Sequence, residues 1–162
     1  MAVVVRPADA TDLGAVLRLQ QACHSNVLLE TDECLASVIA RGFSFVADAA
    51  GEAVGYLLMH EGSEAQLDGV LQPVDSDSHE SGCLFLHDLC VAPAARGTGV
   101  AHLLVKTGLQ HAAERRCSEL HLVALPGTAA FWQRYGFEQS AGFSDAASYG
   151  AGATHMARRM GS

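Results

Sequence analysis

The sequence predicts a mixed α/β or α+β fold, a sheet covered by helices. Two observations lead there. Short apolar strands alternate with segments of helical spacing along most of the chain. In addition, Leu120 to Leu125 is an unbroken apolar run, as expected of a central strand buried on both faces.

The elements follow in order. Val3 to Arg6 reads as a short strand. Asp9 or Thr11 can cap the next helix, because a side-chain oxygen can accept the free amide hydrogens of a first turn. Leu13, Val16 and Leu17 give that helix a buried stripe, and Gly14 weakens it slightly. Thr31-Asp32-Glu33 starts a second helix with Leu35, Val38 and Ile39 inward, ended by Gly42. Phe43 to Ala47 and Ala53 to His60 make a hairpin around the turn Asp48 to Gly51.

Residues 61 to 82 carry Glu61, Glu64, Asp68, Asp75, Asp77 and Glu80 and no basic residue. They read as a long acidic loop with one short helical turn around Leu67 to Leu71. Loops of this length inside a compact domain usually have a function or move. Cys83 to Val91 follows as a strong apolar strand stopped by Pro93. A helix runs from about Gly99 to Cys117, with Val100, Leu103, Leu104 and Thr107 inward. After the Leu120 to Leu125 strand and the loop Pro126-Gly127, Thr128 caps a short helix through Tyr135, ended by Gly136. Phe137 to Phe143 and Thr154 to Met160 close the sheet.

The chain has 162 residues, which fits one domain spanning 1–162, and 49% of them are apolar, enough for a sizeable core. No apolar run is long enough to span a bilayer. The start, Met1 to Pro7, lacks the features of a signal peptide. A soluble, cytoplasmic protein is the expectation. The net charge of −8 shows no basic stripe, which argues against nucleic acid as a partner and favours cationic ones. The five cysteines (Cys23, Cys34, Cys83, Cys90, Cys117) contain no C-x-x-C pair, so reduced, mostly buried thiols are expected rather than a disulfide or zinc framework. The eight histidines lack ligand spacing, and no metal is expected.

The chemistry concentrates where the strand meets Arg96-Gly97-Thr98-Gly99-Val100-Ala101 and a helix begins. Glycines let the backbone approach a ligand closely. The open amides of a first turn, reinforced by the helix dipole, bind phosphate or diphosphate. Arg96 can add a charge-assisted contact. The spacing fits neither the phosphate-binding loop of nucleotide hydrolases nor G-x-G-x-x-G.

Val91-x-Pro93-x-x-Arg96-Gly97-x-Gly99-x-Ala101 resembles the acetyl-CoA signature R/Q-x-x-G-x-G/A of the GNAT N-acetyltransferase superfamily. Asp88-Leu89 before it, Ala130-Phe131-Trp132 with Gly136-Phe137 after it, the opening Arg6-Pro7-Ala8 with Asp12, and the closing Tyr149-Gly150 with Met156 to Met160 are similar to further motifs in the same order. The resemblance covers essentially the whole chain. It implies a mixed, mostly antiparallel sheet of roughly seven strands with four helices, splayed between the fourth and fifth strands. It implies acetyl-CoA as co-substrate, without a metal. The pantetheine arm would pair with Leu89, Cys90 and Val91, and the diphosphate would sit on the amides of Arg96 to Ala101, including Gly97, Thr98, Gly99 and Val100. Phe131 and Trp132 would wall the pantetheine, and the contact often made by an asparagine would be missing or supplied by Thr128. The acceptor would be a primary amine, of a metabolite or a protein, attacking directly in a ternary complex. The last strands could also pair two copies into a homodimer.

An alkylammonium with a pKa of about 10.4 must lose a proton before it attacks. His87, two residues before Leu89, is the first candidate base, because imidazole titrates near neutral pH. Asp88 would point to the opposite face if the strand were regular. The family's usual tyrosine, four residues before the glycine of G-F, is here Trp132, leaving Tyr135 and Tyr149 as candidate acids. Cys90 reads as a small strand residue. Transfer of another acyl group from CoA, or a non-catalytic acyl-CoA sensor, are the alternative functions.

Overall fold

The structure is a computed structural model and describes residues 2–24, 31–61, 83–140 and 152–161. The acidic loop beyond Glu61, its expected helical turn and Tyr149 lie outside the described residues. Seven strands form one sheet: β1 (Val3–Pro7), β2 (Phe45–Ala49), β3 (Glu52–Glu61), β4 (Cys83–Val91), β5 (Glu119–Ala124), β6 (Glu138–Gln139) and β7 (Thr154–Arg159). Their spatial order is β1-β2-β3-β4-β5-β7-β6. All neighbours pair antiparallel except β4 and β5, which are parallel and joined through a helical crossover.

Four helices cover the described sheet. These are α1 (Leu13–Cys23), α2 (Asp32–Ala40), α3 (Val100–Glu114) and the short α4 (Ala129–Gln133). One apolar cluster lies between the sheet and α3, with Leu57, Met59, Leu84, Leu86, Leu104, Leu120, Leu122 and Phe137. The other lies on the opposite face under α1 and α2, with Val16, Leu19, Leu35, Val38, Val46, Tyr56, Leu58 and Cys90. The sheet is therefore the middle of three layers.

Local chemistry explains the ends. Asp9 forms the cap before α1: its side chain accepts the Thr11 amide, and Asp12 accepts the Asp9 amide in return. The Thr31 hydroxyl accepts the Cys34 amide and starts α2. Thr128 occupies the cap position of α4 but does not cap it, because its hydroxyl donates back to the Leu125 carbonyl at 2.7 Å.

The inward face of α3 is Val100, Leu104, Val105, Gly108 and Ala112. Leu103, expected inside, is 42% exposed, so the buried stripe is rotated from the expected one. Gly108 is what brings α3 down onto the sheet. A Cβ there would lie 2.6 Å from Leu57 and 3.0 Å from Met59. Phe137 is buried in the core rather than paired in a strand, and β6 is correspondingly short.

Two expectations are corrected. Cys23 and Cys90 form a disulfide, whereas Cys34 and Cys117 are buried thiols. The pair is 67 residues apart in sequence and meets only because the end of α1 packs across β4. In addition, β4 is not regular. Leu58 pairs with Asp88 and Met59 with Leu86, so His87 is the extra residue of a bulge. The bulge removes the alternation that would have separated His87 from Asp88.

Candidate functional site

The β4–β5 ladder is short. Pairing runs from Cys83–Glu119 to Leu86–Leu122 and stops. From His87 onward β4 keeps its partner β3 but has none in β5. The sheet thus opens into a fork whose arms are residues 87–91 and 123–124, with His87 at its apex. Backbone groups along the inner edges of a fork can pair with an extended ligand, as a sheet edge pairs with an added strand.

A groove of about 520 Å³ adjoins one arm, on the side of the sheet that carries α3. Its floor is the turn that leads into α3. Gly97 has φ +80° and Gly99, at the N-cap of α3, has φ +88°. Only glycine adopts such angles at little cost, which is why both positions carry it. A Cβ on either would meet nothing within 4 Å, so the space before the turn is open to a ligand. The first amides of α3 face this space without a side-chain cap. Val91, Val100 and Ala101 contribute the apolar part of the wall.

Two arginines supply positive charge. Arg96 donates its Nε to the Val91 carbonyl at 3.1 Å, which orients the guanidinium at the groove. Arg134, from the residue after α4, lines the groove over the Phe131 ring at 5.9 Å. Among the described residues no carboxylate lines the groove. The sequence reading missed Arg134, since only the fold brings the end of α4 to the start of α3.

The other expected residues fall in distinct places. Phe131 and Tyr135 line the groove. Burial raises the Tyr135 phenol above its ordinary value, so it stays protonated, and its oxygen lies 3.0 Å from Nδ1 of His102. Trp132 turns into the core against Phe137, at 5.8 Å between ring centres. Leu89 and Val91 pack toward α3, whereas Cys90 faces α1 and is bridged to Cys23. Thr98 turns its hydroxyl to the Ala95 carbonyl. Thr128 is held by Leu125, outside the groove lining.

On the face away from α3, His87 lies beside Phe85 and His60, at 6.0 and 6.2 Å between ring centres. Next to it is a polar network that the sequence did not suggest. Asp88 accepts the Tyr56 hydroxyl at 2.6 Å on one oxygen and meets His24 Nε2 at 2.8 Å on the other. The hydrogen bond to Asp88 raises the His24 pKa, against an opposing effect of burial. Among the described residues no helix is long and apolar enough to cross a membrane, and no cluster of ligating side chains is suited to a metal ion.

The comparisons with known proteins agree with this geometry. A family model described as "Acetyltransferase (GNAT) family" matches residues 14–137. No curated protein matches the chain in sequence. Among solved structures, Ard1 from Thermoplasma volcanium superposes with a TM-score of 0.75 at 19% identity, covering 100% of both chains. The Arabidopsis thaliana Naa50 complex with the bisubstrate analogue CoA-Ac-MVNAL gives 0.74 at 16% identity, covering 99% of this chain and 100% of that one. The ribosomal-protein-S18-alanine N-acetyltransferase of Escherichia coli gives 0.73 at 16% identity, covering 99% and 97%. At these identities the likeness is one of fold.

Proposed function

Because the chain belongs to the acetyltransferase (GNAT) family, we propose that it moves an acetyl group from acetyl-CoA to a primary amine by direct attack in a ternary complex. The observation that carries this reading is the left-handed pair Gly97 and Gly99 opening α3 beside the fork that starts after Leu86 and Leu122. The groove fits the cofactor by the chemistry of its donors: open amides and two arginines for phosphates, and an apolar wall leading to the fork for the pantetheine.

In this reading the diphosphate rests on the amides from Gly97 to Ala101, between Arg96 and Arg134. The pantetheine follows β4 along Leu89 and Val91. An amide at Leu89 or Cys90 then polarises the thioester carbonyl and stabilises the tetrahedral intermediate. Tyr135, a protonated phenol in the same groove, is the proton donor for the departing thiolate. Trp132, buried in the core, takes no part in proton transfer. The proton acceptor belongs on the face away from α3, which carries both His87 and the His24–Asp88 pair. The Naa50 complex with the bisubstrate analogue CoA-Ac-MVNAL supports the notion that one fold of this kind can hold both substrates together.

Calorimetric titration of acetyl-CoA into the protein tests the reading, beside a Gly99→Glu variant. The expected result is saturable binding by the parent and its loss in the variant, where a carboxylate occupies the phosphate position. A folded parent that does not bind would overturn the cofactor site.

A further inference from the structure

We infer that His24, held by Asp88, is the proton acceptor for the attacking amine, an inference that rests on the acetyltransferase reading. The argument begins with the two faces of the sheet. The cofactor groove, with Phe131 and Tyr135, lies on the α3 side. The face opposite carries α1 and the residues packed with Tyr56 and Cys90. The fork after Leu86 and Leu122 joins the two sides. A thioester resting in it is covered by the groove on one side, so a nucleophile reaches its carbonyl carbon from the α1 side. Asp88 is on that side and immediately precedes Leu89.

Hydrogen-bond polarity sets the ring. Tyr56 Oη donates to Asp88 Oδ2. The carboxylate can only accept, so His24 Nε2 carries a hydrogen toward Oδ1 at 2.8 Å. In the neutral ring the lone pair is then on Nδ1, the nitrogen that can take up a proton. A carboxylate that fixes the tautomer and stabilises the imidazolium is the arrangement a general base needs. Three charged or titratable groups bear on His24: Asp88 from β4, Tyr56 through Asp88 from β3, and Arg96 from the turn before α3, whose charge opposes protonation.

The dyad is also held in place. The Cys23–Cys90 disulfide joins the residue before His24 to the strand two residues after Asp88. His87 packs beside the rings of Phe85 and His60.

The step balances as follows. The ammonium gives one proton to water. The neutral amine's lone pair forms the C–N bond, and its remaining excess proton passes to His24 Nδ1. The C–S bond breaks with its electron pair leaving on sulfur. The thiolate is protonated from Tyr135, which recovers a proton through solvent from the imidazolium.

The test measures CoA release from acetyl-CoA with a panel of primary amines. The panel holds peptides with free alanine, serine or methionine amino termini, a lysine-containing peptide and a short diamine, and thioester hydrolysis by water is read in parallel. His24→Gln is expected to lower kcat about 100-fold, with the Kd for acetyl-CoA unchanged, and to remove the His24 limb from the acid side of kcat/KM, leaving the one set by the amine's own pKa. Asp88→Asn is expected to move the His24 limb to lower pH, because it removes the group that makes His24 more basic. A merely structural anchor would lower the melting temperature and leave the limb where it was. An unmoved limb in both variants overturns the assignment of His24 alone, and so does loss of the limb in His87→Gln but not in His24→Gln. A parent that binds acetyl-CoA but turns over neither amine nor water overturns it together with the transfer reading. A parent that does not bind overturns the cofactor site.

Discussion

Leu86 and Leu122 are the last paired residues of the parallel β4–β5 ladder. Both are buried on the α3 side of the sheet. Beyond it, the bulge at His87 bends β4 away. The cleft that a thioester would occupy is thus made by where the β4–β5 ladder stops.

The two groove arginines carry the first prediction. Arg96→Ala and Arg134→Ala are each expected to weaken acetyl-CoA binding about tenfold, the size of a charge-assisted contact. Each should also flatten the salt dependence of binding. Arg115, beside Phe43 at the far end of α3, is the control: Arg115→Ala leaves binding as it was. Calorimetry at low and high salt reads all three. Equal affinities in Arg96→Ala, Arg134→Ala and the parent would remove the arginines from the site.

A second prediction concerns acid. Burial holds His60 down at about 4 and His155 at about 4. Their unfolded value is about 6.5, so between those pH values the unfolded chain binds more protons than the folded one. Stability from these groups is fully present above about pH 6.5 and is lost as pH falls toward about pH 4. The melting temperature of the parent should therefore fall across that window, and that of His60→Gln should fall less steeply. Parallel curves would contradict the buried neutral state of His60.

The disulfide gives a third. Breaking Cys23–Cys90, by reductant or by Cys23→Ser, is expected to cost about 2–4 kcal/mol, because the bond closes a long loop in the unfolded chain. This corresponds to several degrees of melting temperature. Calorimetric melting with and without reductant measures it. In Cys23→Ser the reductant should have no further effect. A parent whose melting is insensitive to reductant would refute the bond.

Much of the fold was legible in local pattern. Asp9 and Thr31 cap helices, Gly97 and Gly99 take left-handed angles, and the strand, helix and strand from Cys83 to Ala124 follow the expected order. Each of these depends on residues near in sequence. The less legible parts depend on distant neighbours. Leu103 is exposed because Gly108 sets how α3 lies on β3.

By itself the sequence determined the fold class, the family and the glycine turn at the head of α3. Periodicity, capping and backbone preference are short-range and are written in the order of residues. Only the tertiary structure decided the Cys23–Cys90 bond, the Arg134 contribution to the groove and the His24–Asp88–Tyr56 network. His24 and Asp88 stand 64 positions apart, and Tyr56 stands 32 from Asp88. Nothing in the spacing of such residues marks them as partners. They meet because apolar burial packs α1 across β3 and β4, and the polar groups caught at that contact must then satisfy one another.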